Sequence, residues 1–341
     1  MKITEISSCV CENCSNSTKN QPNMNRYIVF ILFFCFLQAK AEAISFNYDS
    51  KRDSLTFIGE GTLEQKHVKQ ALTKYPRTKI VYVGGNISTV GYEAFKGCNN
   101  VETIIFSSSV WGSGYCAIRN CKKLSKVVLP ENYKTIACFL VDCPNLESFV
   151  IPDSVTGIKE LSSDCPFRKL HIGQNLVHTV GDYGIGSNRL SSITVSPGNK
   201  RFFSQDGVLF SYAGNTNSDT LRDKGIVGSK LVKYPPCKTG ERYEIPSGVM
   251  TLDWFAFVAC QFDTLVCPAS VKIVHRAAIC YCEKLRCVEM HWQNPNEVSF
   301  DSHPFDVINT SEVTLKVPKG TKNLYIELFN NRMGYQFKVE E

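Results

Sequence analysis

The sequence predicts a repeat solenoid, in which stacked turns of the chain place short parallel strands side by side in one sheet. Three observations predict this fold. Cysteines recur every 22 or 23 residues, prolines recur every 22 residues at the ends of apolar segments, and the segments between them repeat one pattern. One such unit is too small to bury its own apolar face, whereas stacked units bury theirs against each other. The cysteines that share the period are Cys98, Cys121, Cys143, Cys165, Cys260 and Cys282, and the prolines are Pro130, Pro152, Pro246 and Pro268.

The first segment of the chain has the pattern of a signal peptide. Residues 27–37 form an uncharged apolar run of 11 residues, which follows Arg26 and precedes small residues in an A-x-A arrangement. This run is too short to span a bilayer, which needs about 20 residues. We therefore expect residues 1–41 to be an N-terminal extension and signal peptide, with Met24 as an alternative start; the other interpretation is a short uncleaved anchor. No second apolar run follows, so we expect no transmembrane helix in the mature chain.

Each repeat unit divides into three parts. The first, as in residues 124–130 and 146–152, reads L-x-x-I-x-I-P and alternates like a half-buried strand that ends at its proline. The second part reads V-x-x-I-G. The third, as in residues 90–98, reads A-F-x-x-C, and we expect it to pack beneath the next turn. In residues 167–189 the position of the cysteine is taken by Asn188, and asparagine is the known alternative to cysteine in such a ladder.

These units resemble the 23-residue repeats of the bacterial surface antigen, or BspA-like, family of leucine-rich repeat proteins. Residues 196–211 and 231–249 resemble the island that this family inserts between repeat blocks, residues 46–63 resemble its opening segment, and residues 314–325 resemble its closing strand and cap. The resemblance implies a right-handed horseshoe of short strands and irregular or 3-10 turns, with the parallel sheet on the concave face. The parts that we expect are an N-terminal cap at 44–77, repeat blocks at 78–195 and 243–290, an island at 196–242 and a C-terminal cap at 291–341.

Alternation along each predicted strand decides which side chains face outward from the concave sheet. If the leucine-like and isoleucine-like residues point inward, the third and fifth residues point outward. Four successive fifth residues are then apolar, and a contiguous exposed apolar row often marks an interaction site. The alternative is that β-branched residues simply favour strands, and a register error of one residue would bury all four. We predict partner binding on this face by Tyr82, Ile105, Val128, Val150, Lys126, Lys169, His171, Arg242 and Glu244, and the same rule places Val266 outward.

The chain has sixteen cysteines, and six of them follow from the repeat. The six that keep the period are expected to be reduced and buried. Cys116 and Cys138 occupy one further position in successive units. Because neighbouring strands lie about 4.8 Å apart, and disulfides join Cα atoms about 4.4 to 6.8 Å apart, these two cysteines are the best disulfide candidates. The alternative is a pair of reduced thiols packed as small apolar groups.

Charge and motifs argue against several functional classes. Basic residues exceed acidic ones by six, but no basic run occurs, so nucleic acid is not an expected partner. Cys280 and Cys282 have one residue between them and no histidine pair nearby, so no metal is expected. The six histidines fall singly, and Cys237 and Cys267, outside the period, have no catalytic context, so we expect no enzyme and no cofactor. Asn86 and Asn309 begin N-x-[ST] sequons, and are glycosylation candidates if a eukaryote secretes the chain.

These features together predict a secreted or cell-surface protein without enzymatic activity. Its concave sheet would mediate recognition or adhesion, and its partner would be a protein ligand or a component of a host or other cell surface. The resemblance implies the same role for extracellular members of the family, but it does not identify the ligand. Two alternatives stay open: a thiol-dependent hydrolase whose repeats position the substrate, and a structural coat protein that self-associates. Neither the ligand nor the oligomeric state follows from the sequence.

Overall fold

The repeats form a β-solenoid of about 11 turns with parallel stacking of strands, which confirms the predicted fold class. The chain is described here by a computed structural model. It describes residues 44–163, 167–179, 189–212 and 228–341, without the side chains of residues 162, 163, 178 and 179. The predicted signal segment and the ladder positions Cys165 and Asn188 lie outside the described residues. The turns contribute strands to three stacked columns, which we call columns A, B and C.

Column A contains the longer strands, and they coincide with the L-x-x-I-x-I segments. Buried and outward residues alternate in most of them, and paired strands align residue by residue with the strand one turn away. The first two strands pair antiparallel, and the later pairs are parallel. Column A consists of three hydrogen-bonded sheets, which end at Lys126–Val128, Ser192–Val195 and Lys338–Glu340. The strands of column A are Ser45–Asp49, Ser54–Ile58, Ile80–Val83, Thr103–Phe106, Lys126–Val128, Ser148–Val150, Lys169–Ile172 and Ser192–Val195, and then Arg242–Glu244, Thr264–Cys267, Cys287–Met290, Thr314–Lys316 and Lys338–Glu340.

Columns B and C contain short strands, most of them only two residues long. Paired strands in both columns are parallel, except at the island, where an antiparallel hairpin extends column B. Each column is divided into separate hydrogen-bonded sheets. Column B consists of Glu60–Leu63, Asn86–Val90, Gly112–Ser113, Thr135–Ile136, Gly157–Ile158 and His178–Thr179, and then Phe202–Gln205, Val208–Ser211, Lys230–Lys233, Thr251–Leu252, Ile273–Val274 and Ser299–Phe300. Column C consists of Phe95–Lys96, Ile118–Arg119, Leu140–Val141 and Ser162–Ser163, and then Phe257–Val258, Ile279–Cys280 and Phe305–Asp306.

Helices lie near both ends of the described solenoid. Helix Gln65–Lys74 takes the place of a column C strand in its turn, buries Val68 and Ala71, and packs beside Phe95–Lys96. At the other end helix Lys322–Tyr325 continues into the π-helix Ile326–Arg332, and two 3-10 helices precede it at Pro295–Glu297 and Thr310–Glu312. In the described part of the chain, no helix combines the length and the apolar character that crossing a membrane requires.

A left-handed residue follows the column C strand and comes directly before the ladder position. At Gly97 this residue has φ 72°. In the next turn, where Asn120 is the left-handed residue, the Cys121 thiol points inward. This thiol donates to the Phe95 carbonyl oxygen at 3.0 Å. The Cys282 thiol makes the same contact with the Phe257 carbonyl at 3.2 Å, so ladder thiols join neighbouring turns. The residues with positive φ at this position are Gly97, Asn120, Asp142, Ala259, Tyr281 and Val307.

The island divides the interior of the solenoid into two apolar cores. Strand Val208–Ser211 of the island hairpin is buried at all four residues. Leu209 packs into the core of the first repeat block, whereas Val208 and Phe210 pack into the core of the second. Strand Lys230–Lys233 pairs with it and continues in parallel into the next turn of column B. The hairpin is therefore a partition that both cores share.

Exchanging glycine and alanine at the left-handed position should change stability in opposite directions. We expect Ala259→Gly to raise the free energy of unfolding by about 1 kcal/mol, because glycine adopts positive φ without the steric cost that alanine carries. Gly97→Ala should lower it by a similar amount; an added Cβ there meets no atom within 4 Å, so the cost arises in the backbone. Urea denaturation measures both. Ala278→Gly, at a buried alanine outside the left-handed region, is the control; if Ala259→Gly destabilises as much as this control, the explanation is wrong.

Candidate interaction face

Four apolar side chains lie side by side on the outward side of column A. Tyr82, Ile105 and Val128 are direct partners in the parallel register, and Val150 follows on the next strand. Tyr82 is 37% exposed and Val150 is 57% exposed, while Ile105 and Val128 are half-buried. The residues between them along each strand are buried, as the alternation of a half-buried strand requires. We call these four residues the apolar stripe.

Two exposed lysines flank the apolar stripe. Lys126 and Lys169 occupy the third position of their strands, two residues before Val128 and His171. Ser148, the register partner of Lys169, is exposed on the strand between them. This part of the face therefore combines exposed apolar groups with mobile positive charges.

His171, which follows Val150 in the row of fifth-position residues, is part of a hydrogen-bonded network. Its Nδ1 lies 2.9 Å from the Thr194 hydroxyl, and its Nε2 lies 3.0 Å from the Ser196 hydroxyl. The Ser196 hydroxyl donates to Asp153 Oδ1 at 3.1 Å. It therefore accepts a hydrogen bond from Nε2–H of His171, and Nδ1 accepts one from Thr194. In a catalytic triad the carboxylate contacts the histidine, and the serine hydroxyl donates to that histidine. Here the serine lies between the histidine and the carboxylate, and its hydroxyl donates to the carboxylate. The network therefore fixes the imidazole ring and does not activate the serine.

In the second repeat block column A carries a cross-strand ion pair. The two Arg242 guanidinium nitrogens Nη1 and Nη2 donate to the two carboxylate oxygens of Glu289, each at 2.8 Å. Lys316 Nζ lies 3.9 Å from the same carboxylate. The hydrogen bonds from Arg242 hold the pKa of Glu289 below its usual value. Glu244, on the strand of Arg242, is exposed. Charges on this part of the face are thus largely compensated within the protein.

The sequence predicts that Val266 faces outward, but only 1% of its surface is accessible in the structure. It lies between Glu244 and Glu289 in the register. To reach Glu289, the Arg242 side chain must cross the strand that carries Val266. The ion pair therefore covers this valine, which alternation along a single strand could not indicate.

Cys116 and Cys138 lie in adjacent turns, and both are free thiols in the structure. The Cys116 backbone N–H donates to the Cys138 carbonyl at 2.8 Å. Their accessibilities are 5% and 1%, and with Val141 they form a small apolar cluster apart from the two main cores. Burial raises the pKa of Cys116, and it raises the pKa of Cys138 to about 11. The adjacency that a disulfide needs is therefore present, while both thiols stay protonated at neutral pH.

The ladder cysteines are buried and the others differ in exposure. Burial raises the pKa of Cys260 well above its usual value, and it raises that of Cys280 to about 12. Cys237 is exposed and Cys287 is half-buried. Within the described ranges, no three His, Cys, Asp or Glu side chains are grouped as ligands for a metal ion. The buried ladder cysteines are Cys98, Cys121, Cys143, Cys260 and Cys282.

The two sequons lie in different surroundings, although both asparagines are exposed. Asn86 is in a paired column B strand, and its side-chain amide donates to Glu60 Oε1 at 3.3 Å. Asn309 precedes a 3-10 helix, and the Ser311 hydroxyl of its own sequon donates to its Oδ1 at 2.7 Å. Access for a modifying enzyme is therefore better at Asn309, where the backbone is outside the strand columns.

Exposed aromatic residues form a surface feature that the sequence analysis did not single out. Tyr92 and Tyr115 are exposed, and Trp111 is exposed in the same turn as Tyr115. Tyr92 and Tyr115 are 23 residues apart, so the repeat period was a signal that could have identified them. In column B of the second block Trp254 stacks on His275, with ring centroids 4.2 Å apart.

Comparison with known proteins identifies both the repeat and the fold. A sequence profile of the BspA type leucine rich repeat region matches the chain in six copies, over residues 68–183 and 234–335. A leucine-rich repeat protein from Eubacterium ventriosum ATCC 27560 has a similar crystal structure, with a TM-score of 0.54 and 19% identity over 81% of this chain and 76% of that one. This similarity shows the fold.

Two further solved structures are more distant. A leucine rich cell surface protein from Faecalibacterium prausnitzii A2-165 has a TM-score of 0.46 and 14% identity, over 96% of each chain. A leucine-rich repeat protein from Bacteroides ovatus ATCC 8483 has a TM-score of 0.46 and 16% identity, over 87% of this chain and 75% of that one. A search among curated proteins gave no match.

The Arg242–Glu289 ion pair predicts a pH-dependent contribution to stability. We expect Glu289→Gln to lower the free energy of unfolding by about 1 kcal/mol at pH 7, because a bidentate pair is stronger than an ordinary surface pair. The pKa of Glu289 is lower in the folded chain than its usual value of 4.5, so the contribution is complete above that value and disappears as pH falls through the folded-state pKa. Denaturation of both proteins at pH 7 and pH 3 measures this. Glu244→Gln is the control, and an equal effect of both substitutions at pH 7 would refute the assignment.

Proposed function

The chain belongs to the BspA-type leucine-rich repeat family, and from this we propose that it recognises a protein, or another component of a cell surface, through the outward side of column A in its first repeat block. The observation that carries the proposal is the apolar stripe. Four neighbouring strands each present an apolar side chain there. A contiguous exposed apolar row on a protein surface marks a site of interaction.

The scaffold supports this proposal because it holds the apolar stripe in place. Stacked strands set their side chains about 4.8 Å apart, and hydrogen bonds between neighbouring turns fix that spacing. Buried residues alternate with the apolar stripe and anchor each strand to the core. A partner therefore binds without the entropic cost of ordering flexible loops, which weakens many interfaces.

We place the protein outside the cell or on its surface, and we assign it no enzymatic activity. The apolar run at residues 27–37, with the small residues that follow it, supports secretion. The order of contacts among His171, Ser196 and Asp153 supports a binding role over a hydrolytic one. In a eukaryotic secretory pathway, Asn309 would be the preferred glycosylation site, and Asn86 a less accessible one.

Charged substitutions in the apolar stripe should abolish recognition and leave the fold intact. We expect Val128→Glu combined with Val150→Glu to reduce cell binding at least tenfold, because a partner would have to desolvate two carboxylates. Saturation binding of the labelled protein to cultured animal cells measures this, and circular dichroism verifies folding. Mild proteolysis of the cells beforehand distinguishes the two kinds of partner, because it reduces binding to a protein and leaves binding to another surface component unchanged.

The matched control for the apolar stripe is Ile273→Glu. Ile273 is 38% exposed in column B, so it is an exposed β-branched strand residue on a different surface. We expect this variant to bind like the unmodified protein. Undiminished binding by the folded Val128→Glu, Val150→Glu variant would refute the proposed function, and so would an equal loss in the control.

We also propose that Cys116 and Cys138 form a disulfide when the chain is exported. Two S–H groups would become one S–S bond, and the two protons and two electrons would pass to oxygen or glutathione disulfide. Closing a loop of about 22 residues would stabilise the fold by about 3 kcal/mol. Mass spectrometry of the secreted full chain, alkylated under denaturing conditions before reduction, should give one linked peptide pair. Cys121 and Cys143 are the controls and should be alkylated; alkylation of Cys116 and Cys138 to the same extent would exclude the disulfide.

A further inference from the structure

The outward residues of column A have different charge in the two repeat blocks. In the first block they include two lysines and one histidine, and none of them is acidic. Direct register partners identify them from strand Ile80–Val83 to strand Lys126–Val128, and from strand Ser148–Val150 to strand Ser192–Val195. The repeat period of 22 residues relates Lys126 to Ser148. The third-position residues are Ile80, Thr103, Lys126, Ser148, Lys169 and Ser192, and the fifth-position residues are Tyr82, Ile105, Val128, Val150, His171 and Thr194.

The later part of column A, from strand Arg242–Glu244 to the closing strand Lys338–Glu340, compensates its charges internally. Its outward residues include three basic and three acidic side chains, and ion pairs join five of them. Glu289 is paired with Arg242 and Lys316, and Lys338 Nζ lies 2.7 Å from Glu340. Glu244 is the sixth charged residue. Since both blocks have the same strand architecture, the uncompensated charge of the first block is a property of its sequence and not of the fold.

Several carboxylates on the same turns already have other partners. Glu102 lies 3.9 Å from Lys79, and Glu147 lies 3.9 Å from Arg168. Asp153 accepts hydrogen bonds from Ser196 and from the backbone of the following turn. Glu131 is exposed beyond Pro130, past the end of its strand. Among the described residues, neither Lys126 nor Lys169 takes part in a salt bridge.

We propose that the partner of this face is an acidic polypeptide segment that also carries aromatic or aliphatic side chains. This inference rests on the proposed function and adds the chemistry of the partner. Its carboxylates would pair with Lys126 and Lys169, whose strands are separated by strand Ser148–Val150. Its apolar side chains would cover the apolar stripe, which runs across four neighbouring strands from Tyr82 to Val150.

An acidic polypeptide fits this surface better than other polyanions. A sulfated glycan offers negative charge but no apolar side chains, so it would leave Val150 and the rest of the apolar stripe uncovered. A nucleic acid has the same limitation along its phosphate backbone, and phosphate contacts need more clustered cations than two lysines provide. A polypeptide supplies both negative charge and apolar side chains at adjacent points of this face.

The test uses synthetic polymers with the full chain. The probes are a fluorescent random copolymer of glutamate and tyrosine, polyglutamate of the same length, and heparin. We expect the copolymer to bind at least tenfold more tightly than polyglutamate or heparin, and its affinity should fall as salt is raised. Lys126→Glu combined with Lys169→Glu should weaken copolymer binding at least tenfold, and Lys126→Gln combined with Lys169→Gln should weaken it less.

A matched double variant separates the position of the charge from its amount. Lys134→Glu combined with Lys272→Glu changes the net charge equally, at exposed lysines next to column B strands. We expect this control to bind the copolymer within twofold of the unmodified protein. Equal weakening by both reversals would overturn the proposal, as would equal affinity for the copolymer and polyglutamate, or tighter binding of heparin.

Failure of this inference can be distinguished from failure of the proposed function. If the copolymer does not bind but Val128→Glu with Val150→Glu still abolishes cell binding, the face recognises a partner of another chemistry. The acidic polypeptide is then wrong and the proposed function stands. If the copolymer does not bind and the apolar-stripe variant binds cells normally, both proposals are wrong.

Discussion

Each turn of the solenoid depends on its neighbours for its hydrogen bonds and its apolar contacts, and this mutual dependence determines the rest of the structure. A two-residue strand such as Ile118–Arg119 has no independent stability, because isolated short strands are marginal in water. It persists because strands one turn before and one turn after pair with it. The ladder thiols add a contact of the same kind, since the Cys121 thiol bonds to the backbone of the preceding turn. A period of 22 or 23 residues is the spacing that keeps all these contacts aligned.

The island interrupts this dependence in column A but preserves it in the interior. The last strand of the first block, Ser192–Val195, has the hairpin beside it, and the Ile193 N–H donates to the Gly207 carbonyl at 2.9 Å. Column A of the second block begins again at Arg242–Glu244. Buried strand Val208–Ser211 gives side chains to both cores. The two blocks are thus joined through a shared apolar partition, while their outward faces belong to separate sheets.

Much of the fold could be predicted from the sequence because the period is written in buried residues. Prolines and alternating apolar residues identified the column A strands. Columns B and C could not be identified as strands in the same way, because two residues are too few to show alternation. The left-handed turn is marked by glycine only at Gly97, and Ala259 or Tyr281 gives no such signal. At the candidate site, alternation placed the apolar stripe outward, but burial of Val266 depends on an ion pair between residues 47 apart in the chain.

The period constrains the inward residues and leaves the outward ones free, and this separation explains how one scaffold can carry two surfaces. An inward substitution disturbs the packing of three turns, whereas an outward one changes only the local surface. In the second block, outward charges pair with each other and cover Val266. In the first block, Val150 stays exposed and nearby lysines lack a carboxylate within the described protein. Neither feature stabilises the fold, since exposed apolar groups gain nothing from water and unpaired lysines gain no ion pair. A contact outside the described solenoid would give both features a benefit, and this is the argument for the binding face that we propose there.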